Sequence, residues 1–359
     1  MALAKARAAV VLRIPCEPMK AIFALRGQDT CGCYSLGDMT THRDRYPTRV
    51  GALLWVQQTD WAELAGAARL ADTTGLDSLW AWDHMHAIVG DPLQPIYEGW
   101  TTLAAWAAET SRIDLGLMVG ANTFRNPGLT AKSAVTVDHI SAGRTWLGLG
   151  GAWFEYEHLA AGVEFGSGFG QRLDRLDEAV SGVSRVLAGE SITSEPGAFY
   201  AFKDLQHQPL PFRGAGSLPI MIGGGGEKKT LRTVARYAQG WNINGGLETV
   251  AHKAAVLRRH CGDVGRDPLE IEHTLVRFVV VRDDRDEAIR VLEAGQRHND
   301  SARTYDPERD FVGSEEEIAA AWRPYLDLGF THLIADIPAP FDHETIERLP
   351  RLRELVAAS

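Results

Sequence analysis

The sequence of 359 residues has few cysteines and no long hydrophobic run, and each shortage excludes a class of protein. Four cysteines are too few for a disulfide framework, and Cys31-x-Cys33 lacks the second pair that a zinc site needs. No apolar run approaches the roughly 20 residues that span a bilayer, and Arg13 interrupts the first apolar stretch too early for a secretion signal. We therefore expect a cytoplasmic protein without a metal site.

Positively charged residues are fewer than negatively charged ones: the sequence has 37 Lys and Arg residues and 47 Asp and Glu residues, and its formal net charge is -10. This balance argues against a protein that binds nucleic acid or an anionic membrane surface. The expected partner is a small-molecule substrate. Residues 1–48 differ from the rest in being basic and without clear periodicity, and we predict that they form a poorly ordered N-terminal extension.

From residue 49 to residue 359, short apolar runs alternate with helical patterns, as in successive parallel βα units. Eight such runs occur, at residues 50–56, 78–82, 113–119, 145–150, 219–223, 241–244, 272–281 and 332–337. Eight βα units predict a closed (β/α)8 TIM barrel. Two connections are unusually long and are interpreted as insertions, residues 151–170 after the fourth strand and residues 191–218 before the fifth.

The second predicted strand ends in Asp83-His84-x-His86, at the face of a barrel where catalytic groups lie. An aspartate and a histidine there can hydrogen-bond a heterocycle and exchange a proton near neutral pH. The alternative is a helix-capping aspartate followed by surface histidines. The fourth strand ends in Gly150, Gly151 and Ala152, where small side chains leave room for a flat ring, although ordinary packing explains them as well.

Four consecutive glycines, Gly223 to Gly226, follow the fifth predicted strand and precede a helix expected to open near Glu227. Glycine lets the backbone approach an anion, and a helix N-terminus offers free N–H groups, with Lys228 and Lys229 adding charge. The segment therefore predicts a phosphate site, with a merely flexible turn as the alternative. After the third strand, Asn122 and Arg125 are polar groups that either face the site or pair on the surface.

These segments together resemble the luciferase-like monooxygenase superfamily, and within it the F420-dependent oxidoreductases. The resemblance covers nearly all of residues 49–357. It depends on the order and spacing of several motifs, of which the most specific are Leu79-Trp80-Ala81-Trp82-Asp83-His84, Phe124-Arg125-Asn126-Pro127, Ser141-Ala142-Gly143-Arg144, Leu147-Gly148-Leu149-Gly150, Pro219-Ile220-Met221-Ile222 with the four glycines, and Ala238-Gln239-Gly240-Trp241-Asn242.

The resemblance implies a bacterial-luciferase-like barrel that binds coenzyme F420, with FMN as the alternative cofactor, and that transfers a hydride between the deazaflavin C5 and a small organic substrate. Asp83 and His84 would lie beside the ring, with His84 as the proton donor, and Met118-Val119 would form a non-prolyl cis peptide behind it. The remaining cofactor contacts would come from Gly150, Gly151, Ala152, Gly223, Gly224, Gly225, Gly226 and Glu227. The substrate pocket is predicted to include Trp55, Trp153 and Phe154. Barrels of this family commonly pair, so a homodimer is one possibility.

One departure bears on the reaction. Relatives that oxidise sugar phosphates place a glutamate just after the fourth strand, where this sequence has Trp153, with Glu155 two residues on. A sugar-phosphate dehydrogenase is therefore not the expected identity. Three other functions stay open: an FMN-dependent monooxygenase that uses O2, a non-catalytic flavin-binding protein, and a metal-dependent hydrolase built on His84-x-His86 and Asp336.

Overall fold

The computed structural model describes residues 41–357, and ten parallel-paired strands form its central sheet. In chain order they are β1 Arg49–Leu54, β2 Ser78–Ala81, β3 Asp114–Leu117, β4 Gly120–Ala121, β5 Thr145–Gly150, β6 Ile220–Gly223, β7 Gly240–Ile243, β8 Glu272–Val281, β9 Asp310–Gly313 and β10 His332–Ile337. The α-helices are α1 His42–Arg45, α2 Trp61–Thr74, α3 Gly99–Glu109, α4 Pro127–Ile140, α5 Glu155–Ala161, α6 Phe169–Leu187, α7 Thr230–Tyr237, α8 Leu247–Val264, α9 Arg285–His298, α10 Glu315–Asp327, α11 His343–Arg348 and α12 Arg351–Ala357.

The sheet closes into a barrel because β10 pairs with both β1 and β8. Its eight barrel strands are β1, β2, β3, β5, β6, β7, β8 and β10. The two additional strands lie off this ring, since β4 pairs only with β5 and β9 pairs only with the last four residues of β8. The predicted (β/α)8 barrel is confirmed, and each of the eight apolar runs overlaps one barrel strand.

Local sequence explains where the helices begin and end. α2 starts after Asp60, whose carboxylate accepts the N–H of Glu63, and ends at Gly75, whose φ of 97° favours glycine. α4 starts after Asn126 with a proline in its first position. α6 buries the predicted stripe at spacings of three and four residues, which packs it onto the barrel: Leu173, Leu176, Val180, Val183 and Leu187.

The predicted N-terminal extension lies outside the described residues as far as residue 40. Its last part, residues 41–48, contains α1, and the ring of His42 packs on that of His273 with centroids 4.2 Å apart. The described chain thus begins with a helix that contacts the barrel. Within residues 41–357, none of the helices combines the length and the apolar character needed to cross a membrane.

The two predicted insertions have structure of their own. Residues 151–170 contain α5, which follows β5 at the carboxyl end of the barrel. Residues 191–218 are fastened by an antiparallel bridge between Ile192 and Leu205, and the Glu178 carboxylate accepts the N–H groups of Phe199 and Tyr200. The second insertion is therefore held against α6.

A polar network fills the opposite, amino-terminal end of the barrel interior. His332 Nδ1 lies 3.0 Å from Glu272 Oε1, and its Nε2 lies 2.7 Å from Ser78 Oγ. Arg49 donates to both oxygens of Glu272 and to Asp114. Burial opposes ionisation of Glu272, but the His332 hydrogen bond and the Arg49 charge hold the pKa of its carboxyl below the usual value. Because Ser78, His332 and Glu272 are all buried, this Ser-His-Glu arrangement lies in the barrel interior, where a substrate cannot reach it.

We expect Arg49→Met to lower the free energy of unfolding by about 3 kcal/mol or more, because it leaves the buried Glu272 charge without its cation. Arg69→Met is the matched control, since Arg69 pairs with Glu109 on the surface and its loss should cost less than about 1 kcal/mol. Urea denaturation of both variants measures the difference. Equal losses would show that the interior pair contributes no more than a surface pair.

Candidate active site

A cavity of about 370 Å³ opens at the carboxyl ends of the barrel strands. This volume lies within the range of about 300–1,000 Å³ typical of small-molecule sites, and the location is where catalytic residues of this fold converge. Its lining residues are Trp82, Asp83, His84, Ile88, Met118, Val119, Gly120, Ala121, Gly150, Gly151, Ala152, Trp153, Glu157, Phe169, Leu173, Gly223, Gly224, Gly225, Gly226, Thr230, Asn242 and Asn244.

A larger groove, of about 570 Å³, lies outside the barrel between α6 and α7. Charged side chains line it, and several of them pair with one another: Lys229 with Asp174, and Arg236 with Asp177. Its lining residues include no strand end from the described part of the chain, so we assign the candidate active site to the smaller cavity.

Asp83 is buried in the cavity wall and is bound to Arg125. The two guanidinium N–H groups donate to its two oxygens at 2.8 and 2.9 Å, and the Ala121 N–H donates to Oδ2 at 2.9 Å. Arg125 also donates to Glu98. The sequence left open whether Arg125 faces the site, and the structure places it behind Asp83. The Asp83 carboxylate therefore fastens β4 and the segment after it to the end of β2.

His84 lies in the cavity with its ring held by a buried glutamate. Its Nδ1 is 2.8 Å from Glu157 Oε1, and Glu157 Oε2 accepts the N–H of Met85 at 2.8 Å. Within residues 41–357 no group hydrogen-bonds to His84 Nε2. A ring whose Nδ1 donates to a carboxylate presents Nε2 to a ligand as the atom that gains or loses a proton.

Sequence reasoning missed Glu157 and considered Glu155 instead. Glu155 is exposed, whereas Glu157 is 1% exposed. No local pattern in the sequence points to Glu157, because its partner His84 lies 73 positions earlier in the chain. The structure thus places a carboxylate near the fourth barrel strand after all, two residues beyond Glu155 in the first turn of α5.

The peptide bond between Met118 and Val119 is cis, as the resemblance implied, and it joins β3 to β4. The Val119 side chain fills a notch made by glycines on neighbouring strands. A β-carbon at Gly150 would lie 2.7 Å from Val119 Cγ2, and one at Gly223 would lie 2.8 Å from the same atom. These two glycines are therefore required by the packing of Val119, in addition to any ligand contact.

The four-glycine segment curves around the other end of the cavity. Gly224 has a φ of 121°, which favours glycine, and its carbonyl accepts the Trp241 indole N–H at 2.9 Å. The N–H groups of Gly225 and Gly226 donate to no acceptor in the described part of the chain. Two free backbone donors beside a cavity form a concave site suited to an anion.

The charged residues after the glycines turn away from the cavity. Glu227 pairs with His252 and Lys253 of α8, and Lys229 donates to Gly170 and pairs with Asp174. Lys228 lines a separate surface groove. The prediction that the following helix opens near Glu227 was wrong, because residues 227–229 form a turn and α7 begins at Thr230. The positive charge that Lys228 and Lys229 were expected to add is therefore also absent at the glycines.

Of the three predicted pocket aromatics, Trp153 lines the cavity and is 60% exposed. Phe154 stacks on Trp153 with centroids 5.3 Å apart. Trp55 does not reach the cavity: it is buried, packs on Trp82 and donates its indole N–H to Asp336 Oδ1 at 2.5 Å. Burial raises the pKa of the Asp336 carboxyl to about 7.

His86 points out of the cavity, against the ring of Tyr156 with centroids 5.2 Å apart. Among the described residues, no cluster of three or more His, Cys, Asp or Glu side chains is arranged to hold a metal ion. The geometry therefore offers no observation in favour of a metal-dependent hydrolase.

Comparison with known proteins matches residues 45–339 to the family model described as luciferase-like monooxygenase. The chain belongs to the luciferase-like monooxygenase family. An uncharacterised protein of Mycobacterium tuberculosis (strain ATCC 25618 / H37Rv) is 31% identical over 192 residues, which are 49% of this chain and 66% of that protein. The chain thus spans slightly less than two thirds of that relative.

Two relatives have names that state an activity. The F420-dependent glucose-6-phosphate dehydrogenase of Kineococcus radiotolerans is 28% identical, covering 81% of this chain and 92% of the relative. The phthiodiolone/phenolphthiodiolone dimycocerosates ketoreductase of Mycobacterium kansasii is also 28% identical, covering 64% and 67%. Among solved structures, an F420-dependent secondary alcohol dehydrogenase in complex with an F420-acetone adduct has a TM-score of 0.73, 19% identity, and coverage of 87% and 99%. This last similarity confirms the fold.

We expect Asp336→Asn to stabilise the protein at pH 8 and to have little effect at pH 4.5. With a folded-state pKa of about 7 against 3.8 unfolded, the folded protein binds more protons at this group between those values, so stability falls as pH rises through them. Asparagine still accepts the Trp55 indole N–H but carries no buried charge that lowers stability at high pH. Thermal unfolding of the wild-type and Asp336→Asn proteins at the two pH values measures the change in stability. A stabilisation that does not grow with pH would contradict the raised pKa.

Proposed function

We propose that this chain is an F420-dependent oxidoreductase that transfers a hydride between the deazaflavin C5 and a carbonyl, imine or activated alkene carbon. The observation that carries the proposal is that one cavity is lined both by Gly225 and Gly226, whose N–H groups have no acceptor among the described residues, and by His84, whose Nε2 has no partner there. The Kineococcus radiotolerans relative, of which this chain covers 92%, supports F420 as the cofactor.

The residues present fit such a cofactor. The phosphate would be held by the free N–H groups of Gly225 and Gly226, and no carboxylate competes there because Glu227 is engaged with α8. The ring would lie between the Met118–Val119 peptide and the small residues Gly151 and Ala152. Bound at this place, F420 supplies or accepts a hydride at C5.

The chain's own residues would hold the substrate and handle the proton. His84 Nε2 would donate a proton to the oxygen or nitrogen of the group being reduced, or accept it in the reverse direction. Glu157 would fix the ring by accepting from Nδ1 and would stabilise the positive charge of the protonated imidazole. The predicted catalytic role of Asp83 becomes a positioning role in this proposal, because Arg125 and the Ala121 N–H already engage both its oxygens.

A second candidate is an FMN-dependent monooxygenase on the same barrel, and the family description favours it. FMN carries a phosphate that suits the same glycine segment. The two candidates differ at ring position 5, since the deazaflavin has carbon there and does not readily activate O2.

Fluorescence titration of the purified protein with F420 and with FMN tests the cofactor. We expect F420 to bind more tightly. Gly225→Asp should weaken F420 binding by about tenfold or more, because it sets a carboxylate beside the phosphate donors. Gly246→Asp is the matched control, since a β-carbon at Gly246 meets nothing within 4 Å and the residue lies outside the cavity. Tight FMN binding with substrate-dependent O2 consumption would replace the proposal by the second candidate.

His84→Asn should lower kcat by about 100-fold or more, since a positioned general acid contributes roughly 10²–10⁴-fold. Asparagine can still donate to Glu157, so the F420 dissociation constant should change little. Glu157→Gln should give a smaller loss of kcat, because it keeps an acceptor but removes the charge. His86→Asn is the control and should keep full turnover. If His84→Asn retains wild-type kcat while F420 binds, another group donates the proton.

A further inference from the structure

The cavity wall contains no lysine or arginine among the residues that the structure describes. Its ionisable side chains are His84 and the two carboxylates Asp83 and Glu157. Because Arg125 already pairs with Asp83 and His84 with Glu157, an anionic substrate would meet no lysine or arginine in the wall among the described residues. Apart from the backbone donors of the glycine segment, which the proposed cofactor would occupy, nothing in the wall compensates a phosphate.

Three cations near the cavity are committed to other groups, and a fourth, Arg172, packs over the rings of Phe165 and Phe169. Arg125 is bound to Asp83 and Glu98, and Lys229 is bound to Asp174. Lys253, against Gly225, pairs with Glu227. Drawing any of these three to a substrate phosphate would break an existing ion pair, one of them partly buried. These ion pairs make the site poorly suited to a sugar phosphate. They add to the sequence argument, which rested only on Trp153 in place of a glutamate.

An aromatic surface begins at His84 and continues outward. The His84 ring lies edge-on to Trp153, with centroids 5.8 Å apart, and Trp153 stacks on Phe154 at an interplanar angle of 29°. Phe154 in turn stacks on Tyr156 with centroids 5.8 Å apart. A reacting group placed at His84 Nε2 therefore brings the rest of its molecule against the exposed indole of Trp153.

Further apolar side chains form part of the cavity wall. Ile88 lines one side, and Phe169, which is 54% exposed, lines another together with Leu173. An exposed indole and phenyl ring at the mouth of a cavity gain contact area when a flat apolar molecule covers them. An uncharged ligand that displaces water from this apolar surface carries no charge that would be left without a partner.

We propose that the substrate is an uncharged, largely apolar carbonyl compound whose ring or chain lies on Trp153, with its carbonyl oxygen at His84. The inference rests on the proposed function for the reaction itself. In the reducing direction the carbonyl carbon receives the hydride from the reduced cofactor and the oxygen receives the proton from His84, so the products are the alcohol and the oxidised cofactor.

Binding measurements test the substrate class separately from turnover. Isothermal calorimetry of the full chain, with and without F420, would use three probes: 1-tetralone as an uncharged planar ketone, glucose 6-phosphate, and glucose as its uncharged counterpart. We expect 1-tetralone to bind at least about tenfold more tightly than glucose 6-phosphate, and the phosphate to give no advantage over glucose.

Substitutions of one exposed aromatic then locate the binding surface. Trp153→Ala should weaken 1-tetralone binding by about tenfold, while Trp153→Phe should restore most of it. Trp61→Ala is the matched control, because Trp61 is also exposed but lies outside the cavity. F420 titration of each variant reports whether the cofactor site is intact.

The outcomes separate the two proposals. Glucose 6-phosphate binding more tightly than 1-tetralone, or 1-tetralone binding that Trp153→Ala leaves unchanged, would overturn the substrate class and leave the oxidoreductase proposal standing. Failure of F420 to bind, with Trp153-dependent binding of 1-tetralone preserved, would instead overturn the cofactor assignment and support the apolar substrate site.

Discussion

The pairing of β10 with both β1 and β8 is the constraint on which the rest of the structure depends. It brings the carboxyl ends of eight parallel strands into one ring, so residues more than a hundred positions apart line one cavity. Asp83, Gly150 and Gly223 lie at or just beyond the ends of three different strands and line the same cavity. The buried network of Arg49, Glu272 and His332 at the other end secures the same closure from beneath.

Within this ring the site is organised by buried ion pairs and by packing against glycine. Arg125 neutralises Asp83, which ties β4 to the end of β2, and Glu157 holds His84. Val119 fits where Gly150 and Gly223 lack side chains. Each contact fixes a wall of the cavity before any ligand is present, and such preorganisation lowers the cost of positioning a cofactor and a substrate.

The sequence predicted the barrel well because period and strand composition are local signals. Contiguous motifs also pointed to His84 and the glycine segment, and the family resemblance implied the cis Met118–Val119 bond. The sequence did not reveal which charges pair. Glu157 meets His84 across 73 positions, and Lys229 turns to Asp174 across 55, so their partners depend on how helices pack on the barrel. Trp55 was misplaced for the same reason: it packs on Trp82 and bonds to Asp336.

The two sides of the short helix α5 have different roles. One side is buried and holds Glu157 against His84, while Tyr156 and Leu159 on the other side are 44% and 71% exposed. Mutations that alter the exposed side are not constrained by core packing, whereas those on the buried side disturb the histidine. Adaptation of such a barrel to new molecules can therefore proceed by substitutions on the exposed face of this seven-residue helix, while Glu157 on the other face continues to hold His84.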